Sequence, residues 1–162
     1  MTIGTSLLPE FDQEMVPTRR LLERVPEEKG DWKPHPKSFS LGHLAQLVSW
    51  MPGWIAQTLT NDSLDLGGGT GYGNQTHSAL MDEFDRNVRE GREALSRASD
   101  ETFAGTWSLK RGDQVFWAAP RSVVVRNHIS HLAHHRGQLT VYLRLLDVPI
   151  PSIYGPSADE RM

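Results

Sequence analysis

No cysteine occurs in the 162-residue chain. Disulfides, thiolate metal sites and a cysteine nucleophile are therefore excluded. No run of about 18 apolar residues is present, so no membrane-spanning helix is expected. The opening MTIGTSLLPEF has neither the basic start nor the apolar stretch of a secretory leader, and the expected location is cytoplasmic. Neither sign of charge is in large excess: 17 Lys and Arg against 20 Asp and Glu give a net charge of -3, with a pI of about 6.1. No basic stripe is interleaved with aromatics, so neither nucleic acid nor an anionic membrane is an expected partner. Several motifs are missing as well. The chain contains no G-x-x-x-x-G-K-[ST], no G-x-S-x-G, no H-E-x-x-H and no E-x-x-H, which removes the phosphate loop, the serine elbow, the zincin helix and the di-iron carboxylate bundle.

What is present suits a soluble, folded domain spanning residues 1–162, with 38% hydrophobic and 23% charged residues. From Ser6 to about Val25, Leu8, Phe11, Met15, Leu22 and Val25 recur at helical spacing. A proline-rich connection follows. The next stripe, His43, Leu47, Trp50 and Trp54, begins after the capping candidates Ser38 and Ser40 and is interrupted by Pro52-Gly53, where a kink is expected. NDSLDLGGGTGYGNQ reads as a plain or lid-like loop, because no strand leads in and no G-K-[ST] follows. A third stripe runs from Thr76 to about Ala98 through Leu80, Phe84, Val88, Gly91 and Leu95. TWSLKRGDQVFW alternates Trp107, Leu109, Val115 and Trp117 around Lys110-Arg111-Gly112-Asp113, the pattern of a β-hairpin. The last helix is expected from near Pro120 to about Leu146. Four long amphipathic segments predict an all-α protein, an antiparallel four-helix bundle with a short hairpin before the last helix.

That last helix carries RNHISHLAHHRGQL, and with it His128, His131, His134 and His135 out of seven histidines in the chain. At about 100° per residue, His135 lies about 40° and His128 about 60° from His131 toward the apolar stripe, whereas His134 lies about 60° the other way. His128 and His135 should therefore lean inward, His131 should sit at the edge, and His134 should point out. The i, i+4 pair His131/His135 can present two imidazoles to one ion from adjacent turns. His43, on the inward stripe of the second helix, is the candidate third ligand. Taken alone it reads as a hydrogen-bonded core histidine. Three neutral imidazoles with an open position suit zinc or a similar divalent ion, which activates water or another small nucleophile. His128 is open to three roles: hydrogen-bond donor behind the ligands, core residue or alternative ligand. His134 reads as solvated or partner-facing. For hydrolysis a general base is needed, and Asp82, Glu83 and Asp85 are the candidates on a neighbouring helix.

LGHLAQLVSW, with His43, and HLAHHRGQLTVYLRLLDVPIP, with His131 and His135 in an H-x-x-x-H-R-G-Q pattern, resemble the DinB family of metal-binding four-helix-bundle proteins. The closing SIYGPSADE is similar to tails seen in that family. The resemblance covers nearly the whole chain. It implies an up-down-down-up bundle, often a homodimer, with a divalent metal such as zinc or nickel on His43, His131 and His135. It also implies kinship with bacterial thiol-dependent S-transferases, so the expected substrate is a small molecule, a low-molecular-weight thiol included. Metal-dependent thiol transfer or hydrolysis is thus the expected function, and the alternative is a non-catalytic, metal-binding, stress-associated dimer. Trp107 and Trp117 are the aromatic residues expected at a dimer surface.

Overall fold

A computed structural model describes residues 1–68 and 71–161. It is mostly helical, with one small sheet. Three of the long helices start where a hydroxyl can accept a hydrogen bond from the backbone N–H three residues on. Thr2 caps α1 (Ile3–Leu22), Ser40 caps α2 (Leu41–Thr60) and Thr76 caps α3 (His77–Arg97). A short helix α4 (Asp100–Ala104) is capped in the same way by Ser99, and α5 (Arg121–Leu145) follows Pro120. α1 begins earlier than the apolar periodicity suggests, because Thr2 supplies the cap and Leu7 is already buried. α2 runs through Pro52 as one continuous helix.

The long helices share one core. α2 packs on α3 and α5, and α1 packs on the same two. Phe11, Leu44, Met51, Phe84, Leu95, Leu132 and Leu139 lie inside it. One crossing depends on a missing side chain: a Cβ at Gly91 of α3 would stand 2.5 Å from the Pro52 carbonyl oxygen of α2. Glycine lets the two backbones approach there.

The hairpin forms as expected, from β2 (Thr106–Arg111) and β3 (Gln114–Pro120). Gly112 occupies its turn at φ 56°, a conformation glycine adopts without strain. A third strand, β1 (Ser63–Asp65), pairs parallel to β2 and was not expected from the sequence. The Asp65 carboxylate accepts the N–H groups of Gly67 (2.8 Å) and Gly112 (3.2 Å), tying the two turns together. Trp107, expected at a surface, is instead buried at 4% exposure. Alternation along β2 turns its indole inward, against His128.

The segment after α5 folds back over α1. The Ser152 N–H and the Arg20 guanidinium hold the Glu160 carboxyl pKa at about 2, and Arg24 also pairs with it. Among the described residues no helix is long and apolar enough to cross a membrane.

Candidate metal centre

The four clustered histidines divide as α-helical geometry requires. His128 and His135 are buried at 8% exposure each, His131 is half-buried and His134 is exposed. His131 and His135 turn their Nε2 atoms toward each other at 2.9 Å. Behind His135, its Nδ1 lies 2.7 Å from Gln138 Oε1, and the Gln138 amide nitrogen lies 3.0 Å from His134 Nε2. A carbonyl oxygen can only accept, so His135 donates from Nδ1 and its Nε2 keeps a bare lone pair directed at His131. Gln138 is a site residue that sequence reasoning missed, although it stands in the quoted H-R-G-Q. Its signal was the i, i+3 spacing from His135, which places it on the adjacent turn.

His43 arrives from the first turn of α2, where its own N–H is fixed by the Ser40 cap. Its ring is sandwiched between Phe39 (centroids 4.1 Å apart) and Tyr72 (4.6 Å). Tyr72 belongs to the glycine-rich loop, whose Gly69 and Thr70 lie outside the described residues. The same loop is held by Gly73 N–H to Gln46 Oε1 at 2.7 Å, and by Asn74, which fills the notch left by Gly30 and Gly42. So Tyr72, Gly73 and Asn74 pack against α2 and the turn before it, and Tyr72 touches Trp50 as well.

Burial pushes the pKa values of His43, His131 and His135 below the ordinary histidine value, and neighbouring positive charge acts in the same direction. For His43 that charge comes from Lys33 and then His135. The shift favours the neutral ring, the form that ligation requires. The donor chemistry therefore fits a divalent ion. His131 and His135 meet, and His43 lies in its own aromatic stack between Phe39 and Tyr72. Among the described residues, no three His, Asp or Glu side chains form a group ready to hold an ion.

His128 is the core residue of the cluster. Its Nε2 lies 3.0 Å from Thr58 Oγ1 and its ring packs edge-on to Trp54 and Trp107. Burial, with the nearby His131, lowers its pKa to about 4. The carboxylates considered as a general base are engaged with other partners or exposed. Asp85 pairs with Arg19 of α1 at 2.9 Å, Asp82 is exposed, and Glu83 is hydrogen-bonded to Gln75 and Arg86. Arg136 of the same motif turns away from the histidines, into the protein. It is 1% exposed and pairs with Glu14 of α1 at 2.6 Å.

A crystal structure of a DinB-like protein from Bacillus cereus ATCC 10987 superposes with a TM-score of 0.71 at 22% identity, covering 91% of this chain and 95% of that one. A second, of the DinB-like protein YjoA from Bacillus subtilis, gives 0.69 at 16% identity, covering 97% and 99%. At these identities the likeness is one of fold. The uncharacterized protein YrdA of Bacillus subtilis (strain 168) is 50% identical over 32 residues, which span 20% of this chain and 19% of YrdA. Residues 2–161 match the DinB family, and on that match over nearly the whole length the chain belongs to the DinB family.

Proposed function

We infer that the protein is a metal-dependent enzyme that uses a divalent ion on His43, His131 and His135 to promote S-transfer from a small thiol or hydrolysis by water. The observation that carries this reading is the approach of two imidazole nitrogens, His131 Nε2 and His135 Nε2, to 2.9 Å, with Gln138 fixing the tautomer of one. A hydrogen bond from the far nitrogen orients a histidine ligand and raises its basicity. A divalent ion such as zinc or nickel supplies Lewis acidity, which makes a thiol or water nucleophilic near neutral pH. The chain's own residues then have separable tasks. His131 and His135 offer lone pairs from one helix, and His43 supplies the third from α2. Phe39 and Tyr72 flatten the His43 ring between them, and Trp54, against His131, keeps that side apolar. No carboxylate among the three considered is free beside the rings, and this favours thiol transfer over hydrolysis, since a metal-activated thiol has less need of a separate base.

The four long helices are read as one up-down-down-up antiparallel bundle and one domain over residues 1–162. The protein acts in the cytoplasm, on a small molecule and without nucleic acid. It is a homodimer. α5 supports this by exposing Val141 (57%) and Leu145 (58%) beside Gly137, around which a Cβ would meet nothing. Elemental analysis of protein made without a histidine tag tests the centre, with one divalent ion per chain expected. A screen of small thiols with electrophiles on the loaded protein then tests the reaction. Metal bound with no turnover of any thiol or ester would turn the reading toward a structural metal site.

A further inference from the structure

A groove of about 240 Å³ runs between α2 and α3, next to the histidines. Trp50 and Trp54 line it from α2, and Glu83, Arg86 and Glu90 line it from α3. Both sets follow helical spacing, so each is a continuous stripe facing the other. The groove shares a wall with the histidine cluster. The Trp54 ring lies 5.9 Å from the His131 ring and 5.6 Å from the His128 ring, while Trp50 meets Tyr72, which stacks on His43.

The chemistry of the lining favours a cation. Two carboxylates face one guanidinium, which leaves an excess of one negative charge. Glu83 is already engaged: it accepts from Gln75 at 2.8 Å and from Arg86 at 3.1 Å, and is only 17% exposed. Glu90 stands 4.0 Å from Arg86, with both side chains more than half exposed, so it is weakly held and free to meet a ligand. Indole faces attract cations through their quadrupole, best where water is excluded. The volume lies below the roughly 300 Å³ at which drug-sized pockets begin, so the ligand is small. We propose that this groove binds an alkylammonium group, seated on Trp50 and Trp54 and countered by Glu90, as the anchoring end of a substrate whose reacting end lies at the histidines. The second half of that statement rests on the metal-centre reading; the binding of the cation does not.

Calorimetric titration with choline, with its neutral carbon isostere 3,3-dimethylbutan-1-ol, and with acetate tests it. Choline should saturate and bind at least about 10-fold more tightly than the isostere. Glu90→Gln, at an exposed position that leaves the fold intact, should weaken choline several-fold. Arg86→Gln should leave it unchanged or tighten it, Trp54→Phe should retain it and Trp54→Leu should lose it. Equal binding of choline and the isostere overturns the proposal, as does saturable acetate binding that disappears in Arg86→Gln. His131→Ala separates the two readings, because it should remove the metal and leave choline binding intact. Choline binding to a protein that never takes up metal sinks the metal centre alone. Metal uptake without choline binding sinks the groove alone.

Discussion

Acidifying the metal-free protein should destabilise it through one named residue, His128. An unperturbed histidine takes its proton near about 6.5. In the folded chain, burial with His131 nearby lowers that value to about 4. The unfolded chain therefore protonates first as the pH falls, and stability is lost between these two values. Above about pH 6.5 both states are neutral and nothing changes; below about pH 4 both are charged and the loss stops growing. The full effect is about 3 kcal/mol, of which about 2.5 kcal/mol is spent by about pH 4.5. In a chain of this size that corresponds to a melting temperature lower by roughly 5–10 °C. His43, His131 and His135 shift in the same direction, and the carboxylates titrate too, so the useful quantity is a difference between proteins. Urea unfolding of chelator-treated wild type and of His128→Gln, at about pH 7 and about pH 4.5, isolates it. The glutamine introduced there can still hydrogen-bond Thr58, and it carries no titrating proton. The wild type should lose about 2 kcal/mol more than the variant across this interval. Equal losses in the two proteins would refute the assignment and move the acid sensitivity elsewhere in the cluster.

Further outcomes follow from the same geometry. Arg136→Met should cost about 3–5 kcal/mol in chemical unfolding, because it strands the buried Glu14 carboxylate; adding Glu14→Gln should recover much of that loss. In metal analysis of tag-free protein, His131→Ala or His135→Ala should abolish tight binding and His43→Ala should weaken it strongly. Gln138→Leu should weaken it by about 10–100-fold, and His134→Ala should change it least; metal lost only in His134→Ala would show that the wrong rings were chosen. Gly91→Ala should destabilise by about 1–3 kcal/mol, since its methyl meets the Pro52 carbonyl of the facing helix; an unchanged melting temperature would mean that the crossing can open at no cost. Gly137→Ala should stabilise an isolated chain by about 1 kcal/mol, as alanine does in an open helix interior, whereas light scattering that shows a weakened dimer would locate Gly137 in a subunit contact.

Local chemistry made much of this legible from the sequence. Ser40, one of the two capping candidates, caps α2, the third helix starts beside Thr76 as its stripe suggested, and Leu80, Phe84, Gly91 and Leu95 of that stripe are buried. The helical wheel ordered the four histidines correctly, because rotation per residue is fixed by the backbone hydrogen bonds and needs no tertiary information. What escaped depended on partners distant in sequence. β1 is a short strand that owes its existence to pairing with β2, far along the chain. Alternation placed Trp107 on one face of a strand, yet which face meets the helices is decided by the docking of the hairpin. Phe39 and Tyr72 lie on either side of His43 only once the glycine-rich loop has folded over α2. The carboxylates Asp82, Glu83 and Asp85 were near in the helix order, but α3 turns Asp85 to α1 and Glu83 to the groove.

The H-x-x-x-H-R-G-Q segment concentrates several of these roles, and the reason is geometric. A helix of about 3.6 residues per turn shows each successive residue to a new direction, so about eight adjacent positions sample the edge of the core, its interior and the solvent. His131 falls on the edge and His135 just inside it, where their Nε2 atoms meet at 2.9 Å, His131 donating to the lone pair of His135. Arg136, about 100° further round, enters the core and donates to the Glu14 carbonyl, the Thr18 hydroxyl and the Tyr154 hydroxyl, while the same Tyr154 hydroxyl donates to the Glu14 carboxylate. Gln138 returns to the edge one turn later and grips His135 from behind. The arginine therefore acts on the histidines without touching them. It ties α5 to α1 and the C-terminal segment, and so fixes the rotation of the helix that carries the His131/His135 pair. The candidate centre and the core are both read from one short motif because about two turns of helix face both.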